Sequence, residues 1–481
     1  MNYGIIIKIL GNLLLFQIAA LLPSLGIALY LGEPELQAFL YTIGILVLFG
    51  VPLSLKKTKS KRIQAKEGLT IVTLGWVLVA FFAAFPFYLS GVIPSFTNAL
   101  FESVSGLTTT GASVIDNVEA LSKGLLFWRS FLPWLGGMGI IVLTLAISPT
   151  LGVGGYQIYK AETPGPTAGK LSPRLHDTAK ILFLVYLLIT LALTVLLYFG
   201  GLSLFESLIH AFGTIGTGGL STKNASIGAF NNHFIPWVIS IFMIAAGVNF
   251  SLYYLMYQRK WRDAFSNSEF RLYLVVIAIG TILITLNLYG NIYQSLSESF
   301  RQAFFQVSSF ITTTAYRTVD YESWPRFSQG ILLFLLFIGG SSGSAAGSIK
   351  VIRHLVLLKL IKREISKILH PRAFIPIKVD GKSIPSSVEA NIVGFFFLYL
   401  VLFASGSLLI MLFENIDFIS ASTAVAASLG NVGAGFGLVG PGHSFDFFTA
   451  ESKMILAFLM LLGRLELFTI FVLLTPDFWR N

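Results

Sequence analysis

Cysteine is missing from all 481 residues, which excludes disulfides and thiolate metal sites. Charge is scarce: Asp, Glu, Lys and Arg make up 12% of the chain, and 55% is hydrophobic. A soluble domain of this size would carry about twice that share of charge. Also absent are a Walker A pattern, a Gly-x-Gly-x-x-Gly turn after a strand, an aspartyl-phosphate setting and any catalytic constellation, so the sequence does not read as an enzyme. His210 and His354 lack metal-ligand spacing and read as packed or solvent-facing. The net charge of +10 does not point to nucleic acid, because the basic residues are split among four loops with no reading motif.

What is abundant is apolar sequence in long runs. About 20 residues of helix cross the roughly 30 Å of membrane hydrocarbon. Ten stretches qualify: 4–31, 36–55, 68–92, 124–149, 178–200, 234–257, 271–290, 328–361, 388–413 and 452–475. The first reads as a retained span, being too long for a signal peptide and lacking a basic start. Basic residues crowd alternate loops: Lys56 to Lys66, Lys160 to Lys180, Arg259 to Arg262, and Arg353 to Arg372. Glu414 to Ser452 contains neither Lys nor Arg. With ten spans this pattern places both termini and the basic loops in the cytoplasm, against anionic lipid.

A Gly/Thr-rich element recurs four times between these runs. The copies are Thr108-Thr109-Thr110-Gly111, Ile215-Gly216-Thr217-Gly218, Thr312-Thr313-Thr314-Ala315 and Gly430-Asn431-Val432-Gly433. Aligned on the last position, they are spaced 218 − 111 = 107, 315 − 218 = 97 and 433 − 315 = 118 residues. A semi-apolar segment too short to span precedes each one: 95–107, 203–214, 298–311 and 418–429. Each reads as a re-entrant pore helix that returns as an extended loop. Irregular backbone is tolerated at membrane depth only where protein buries it or a wet cavity lies beside it. Four such loops therefore predict a pore. Glycine can turn its carbonyl inward at positive φ, and threonine offers a hydroxyl. The fold expected is an all-α polytopic membrane protein, with four helix–pore loop–helix units around one pore and two extra N-terminal helices. The units run 67–176, 177–268, 269–386 and 387–481, after an N-terminal helix pair and basic loop at 1–66.

Gly339, Gly340, Ser341, Ser342, Gly343, Ser344, Ala345, Ala346, Gly347 and Ser348 put four glycines and four serines inside an apolar run. Each interior glycine costs a helix about 1 kcal/mol, so the helix should break there. The segment reads either as a loop that plugs the pore or as a close-packed helix crossing. Arg464 is a charge in mid-span. It either faces the cavity below the loops or forms a buried ion pair with another span. Glu466 is two residues away, on another helix face, and is the acidic residue to test for proton coupling. Glu102 and Gln306 each lie nine residues before the aligned position, and read either as hydrogen-bonding the loops from behind or as part of a solvated mouth. Asn249 reads as interhelical glue, and the repeated Phe-Glu-Ser at 101–103 and 205–207 as coincidence.

Several motifs in order resemble the Trk/Ktr/HKT superfamily of potassium transporters over essentially the whole length. They are the four loops, Glu162-Thr-Pro-Gly-Pro166, Lys170-Leu-Ser-Pro-Arg174, the segment from Ile338 to Lys350, His370-Pro-Arg372 and Gly463-Arg-Leu-Glu-Leu-Phe468. The extra helices at 4–55 are similar to the TrkH/TrkG branch. The resemblance implies potassium uptake across a bacterial inner membrane, with potassium as substrate at the four loops and no organic cofactor. It implies a homodimer with one pore per protomer, gated by a cytosolic TrkA-like ring of nucleotide-binding subunits. It favours a gate at 339–347 and a pore barrier at Arg464. A secondary transporter coupling potassium to protons or sodium is the alternative. Ala315, Ala345 and Ser348 depart from the family pattern.

Overall fold

The computed structural model describes residues 1–58, 63–139, 175–373 and 375–480. The motifs at 162–166 and 170–174, and the expected span beyond residue 139, lie outside them.

Two long apolar helices open the chain, α1 (Tyr3–Leu31) and α2 (Leu36–Ser54), packed on each other. Four units follow. The first has α3 (Ala65–Ala83), a short helix α4 (Phe96–Leu107) and α5 (Lys123–Gly137). The second has α6 (Leu175–Phe199), the short α7 (Leu204–Ile215), and α8 (Phe234–Ala246) with α9 (Phe250–Tyr257). The third has α10 (Ser268–Leu288), the short α11 (Leu296–Ile311), and α12 (Arg326–Leu335) with α13 (Val351–Leu369). A two-stranded hairpin, β1 (Lys378–Val379) and β2 (Lys382–Ser383), leads to the fourth. That unit has α14 (Ser386–Phe413), the short α15 (Phe418–Leu429), and α16 (Ala450–Arg464) with α17 (Phe468–Leu474).

Among the described residues, six helices are long and apolar enough to cross a membrane, and two bent pairs pass the same test when each is taken as one span. These account for eight of the ten expected stretches. The stretch at 124–149 is described only to residue 139, and 328–361 is divided between α12 and α13. Large apolar side chains face outward along the helices, among them Leu48, Leu191, Ile279 and Leu412. Lipid covers such surface at no hydrophobic cost, and the chain is a multi-pass membrane protein.

The short helices are 12, 12, 16 and 12 residues long, which is roughly 18 to 24 Å at 1.5 Å per residue and less than the hydrocarbon thickness. Side-chain oxygens fix three of their starts. Ser203 accepts from the Glu206 amide, Ser295 from Glu298 and Asp417 from Ser420. The units close into a ring. Apolar clusters join unit one to two, two to three and three to four, and α16 of unit four packs on α4 of unit one.

The span at 328–361 breaks at the Gly/Ser run as expected, α12 ending at Leu335 and α13 starting at Val351, so a continuous helix crossing is not the geometry there. Two further breaks were not expected. α8 and α9 meet at 93°, and α16 and α17 at 113°. Asn249 is therefore not interhelical glue. It is the N-cap of α9, its Oδ1 accepting from the Ser251 amide at 2.9 Å.

Candidate functional site

Each short helix runs directly into one Gly/Thr strand, and the four junctions share one hydrogen-bond pattern. The first strand residue donates to the carbonyl four back, the second to that three back, and the third and fourth to a single carbonyl five and six back. That shared acceptor is Ser105, Gly213, Ser309 or Ala427. This pattern fixes the register as Thr108–Gly111, Gly216–Gly219, Thr312–Ala315 and Gly430–Gly433. The second strand is thus displaced by one residue from the sequence alignment. Ile215 is the last residue of α7, and Gly219 takes the place assigned to Gly218. The first two spacings become 219 − 111 = 108 and 315 − 219 = 96.

Backbone handedness repeats in the same register. The second position is left-handed in all four strands, with φ of 59° at Thr109, 53° at Thr217, 57° at Thr313 and 51° at Asn431. The fourth position is left-handed too: 81° at Gly111, 58° at Gly219, 61° at Ala315 and 76° at Gly433. A left-handed non-glycine costs about 1–2 kcal/mol, so five of these eight positions are held by their surroundings. Alternating handedness can turn successive carbonyls toward the same side of an extended segment, whereas in an ordinary β-strand they alternate.

The strands abut in order. A Cβ on Gly111 would strike the carbonyl oxygen of Gly218, one on Gly219 that of Thr314, and one on Gly433 that of Thr110. The ring needs glycine there because a neighbour's carbonyl occupies the side-chain position. Ala315 is the exception, carrying a methyl at the equivalent place. Above the ring is a cavity of about 220 Å³, bordered by Gly111, Gly219, Ala315 and Gly433 and by the charged side chains of Asp116, Lys223 and Arg317. Thr108 and Thr110 share a hydroxyl bond of 2.8 Å, as do Thr312 and Thr314. Asn431 Nδ2 donates to Thr110 Oγ1 at 3.0 Å and to the Met460 carbonyl at 2.8 Å. Thr217 Oγ1 and Asn431 Oδ1 are buried with no hydrogen-bond partner.

Behind the strands, Glu102 accepts from the Val114 amide at 2.9 Å and the Ser113 hydroxyl at 3.1 Å, and pairs with buried Arg129 at 2.7 Å. Arg129 Nη1 also reaches the Ser221 carbonyl, 3.4 Å away beyond the second strand. Gln306 is buried, but neither of its side-chain polar atoms has a hydrogen-bond partner. The corrected register adds His210 to this position, since 219 − 210 = 9. Its ring is fully buried and bonds the Glu206 carbonyl at 2.7 Å and the Ser221 hydroxyl at 3.0 Å. Sequence reading missed Arg129 as well, although it is the lone charge in the run at 124–149.

Beneath the ring sits the 339–348 loop. Gly347 N donates to Thr313 Oγ1 at 2.7 Å and Ser348 N to the Gly430 carbonyl at 2.7 Å. Ser341 N donates to the carbonyl of Gly247, at the α8–α9 break, at 2.8 Å. Ser348, left-handed at φ 55°, is pinned by its hydroxyl on the Leu336 carbonyl at 2.7 Å. Arg464, at the α16–α17 break, donates to Ala345 O at 2.8 Å, Gly136 O at 2.7 Å and Thr109 Oγ1 at 3.2 Å. One guanidinium thereby joins the loop, the first strand and the end of α5. Glu466 pairs with Arg353 at 2.5 Å, tying the same break to α13.

Comparison with known proteins agrees with this architecture. Residues 35–480 match the TrkH family, described as a cation transport protein. The chain is 40% identical to the Trk system potassium uptake protein TrkH of Escherichia coli (strain K12), with 100% of both chains covered. It is 37% identical to the Trk system potassium uptake protein TrkG of the same strain, over 98% of this chain and 97% of that one. The crystal structure of the potassium transporter TrkH from Vibrio parahaemolyticus superposes with a TM-score of 0.89 at 35% identity, again covering 100% of both chains. The chain belongs to the TrkH family and is an ion-transport protein, not an enzyme.

Proposed function

We propose that this chain takes up potassium through a gated pore whose selectivity filter is the ring of four Gly/Thr strands. The observation that carries this reading is the fourfold left-handed pattern, four times over at the second and fourth strand positions. Such strands present backbone carbonyls in place of a cation's water shell. The short helices ending at the ring add partial negative charge at their C-termini. The names of the relatives supply the ion. The filter comprises 108–111, 216–219, 312–315 and 430–433. The 339–347 loop is the gate, seated under the third and fourth strands in a closed state, and Arg464 is both its clasp and a barrier to cations.

Other features support the rest of the reading. The backbone amide of Asn2 bonds Glu67, and Lys66 bonds the Arg480 carbonyl, so both termini meet the first basic loop, as the cytoplasmic orientation in a bacterial inner membrane requires. Leu358, Ile361, Ile365 and Ile368 form an exposed apolar stripe on α13, suited to a second copy in a homodimer. The basic residues beside it, Lys362 and Lys367, suit docking of a TrkA-like nucleotide-binding ring. The units divide at 1–66, 67–176, 177–268, 269–386 and 387–481.

The test is flux. Purified protein in liposomes should admit rubidium down a potassium-driven gradient, and deleting Ser341–Ala346 should raise unstimulated flux. Unchanged flux in a folded deletion would defeat the gate assignment. Uptake that requires a proton gradient would replace the pore with a coupled carrier and direct attention to Glu466.

A further inference from the structure

One carboxylate in contact with the loop has no part in the account above. Glu269 lies in the first turn of α10 and is 5% exposed. Its Oε1 accepts from the Ser342 amide at 2.6 Å and from the Ile352 amide at 3.2 Å. Ser342 is in the loop, whereas Ile352 is in the first turn of α13, where helical amides lack intrahelical partners. A single oxygen therefore holds the loop against the helix that follows it. Charge-assisted bonds to backbone amides are about twice as strong as neutral ones, and burial strengthens them further.

The residues just before Glu269 reach an accessible element. Asp380, at the exposed turn of the β1–β2 hairpin, accepts from the Ser268 amide at 2.8 Å and from Asn267 Nδ2 at 2.9 Å. Asp380 and Gly381 have φ of 47° and 78°, the two left-handed residues of a tight hairpin turn. The same hairpin is tied to α13, since Lys359 Nζ donates to the Lys378 carbonyl at 2.6 Å. Hairpin, α10 start, loop and α13 thus form one hydrogen-bonded chain.

We propose that Glu269 is a positioning residue for gating. Its carboxylate latches the 339–348 loop in the closed seat, and the Asp380 hairpin is the lever through which a cytoplasmic contact releases it. The proposal rests on the gated-pore reading. Movement of the hairpin shifts Asn267 and Ser268, withdraws Glu269, and frees the Ser342 amide while Arg464 still holds Ala345. The loop then opens from its α10 side first.

The experiment is single-channel recording of the purified full chain in planar bilayers with potassium and no partner. Glu269→Gln keeps the shape and removes the charge, and it should raise open probability about tenfold. Unitary conductance and the potassium–sodium reversal potential should not move, because neither the strands nor Arg464 is altered. Glu269→Asp, too short to take both amides, should act in the same direction and serves if the Gln variant is poorly folded. Asp380→Ala should give a smaller rise. Wild-type or lower open probability in folded Glu269 variants would overturn the latch, as would a shift in reversal potential. An inert Asp380→Ala would overturn the lever. If Ser341–Ala346 deletion raises flux while Glu269→Gln does not, only this inference fails. If neither raises it, the gate reading fails.

Discussion

Replacing Arg464 with alanine should open the pore in two separable ways. Among the described residues the guanidinium bonds Ala345 O, Gly136 O and Thr109 Oγ1, and the bond to Ala345 O, at 2.8 Å, bears directly on the loop. A hydrogen bond to a charged group contributes about 1.5–3 kcal/mol. At 1.4 kcal/mol per factor of ten, its loss shifts the closed–open balance about 10- to 100-fold toward open. The second effect is Coulombic. Arg464 Nη1 is 3.2 Å from Thr109 Oγ1, which puts its charge beside the first strand. For a cation about 7 Å from that charge and an effective dielectric near 20, the repulsion is about 2–3 kcal/mol. Removing it should raise unitary cation conductance as well as open probability. Arg464→Lys separates the two effects, because lysine keeps the charge and cannot make the same three-way contact. It should raise open probability with little change in conductance. Both quantities are read from single-channel records of purified protein. Wild-type gating and conductance in a correctly folded Arg464→Ala protein would refute the reasoning.

Three further outcomes are expected. Ala315→Gly removes a left-handed alanine at φ 61°, relieves about 1 kcal/mol of strain and makes the fourth filter position glycine throughout. Bi-ionic reversal potentials should then show greater preference for potassium over sodium. Glu102→Gln strands Arg129, which is 3% exposed, without its carboxylate. Breaking such a pair costs about 3–5 kcal/mol, which should appear as a lower melting temperature in detergent and weaker ion discrimination. Asp417 caps the fourth pore helix, and hydrogen bonds from the Ser420 hydroxyl and amide hold its carboxyl below the usual range. A folded value below the unfolded one means that this stabilisation is complete above the ordinary aspartate range. It is lost as pH falls through the depressed folded value. Melting curves of wild type should therefore lose this increment as pH falls below the ordinary aspartate range, and Asp417→Ala should lose about 1 kcal/mol at neutral pH.

Much of the fold was legible because the membrane is a demanding solvent. Apolar run length revealed the spans, and runs too short to cross revealed the four re-entrant helices. The register of the second strand was not legible. Gly216-Thr217-Gly218-Gly219 offers three glycines, and identity alone cannot choose among them, whereas the shared Gly213 carbonyl does. That one-residue slip also hid His210 from the row containing Glu102 and Gln306. The break at 339–348 was evident from eight glycines and serines in ten residues. The breaks at 247–249 and 465–467 were not, because Val248, Leu465 and Leu467 continue the apolar pattern through the bend. Glu102–Arg129 and Glu269–Ser342 join residues 27 and 73 positions apart, and no local signal announces such partners.

The most direct test of the central claim is the reversal potential of purified protein in a planar bilayer. It is measured first under opposing potassium and sodium gradients, then under a pH gradient. A carbonyl-filtered pore predicts reversal that follows the potassium gradient and ignores pH. Reversal that tracks the pH gradient, with negligible conductance when protons are balanced, would contradict the pore and establish a coupled carrier.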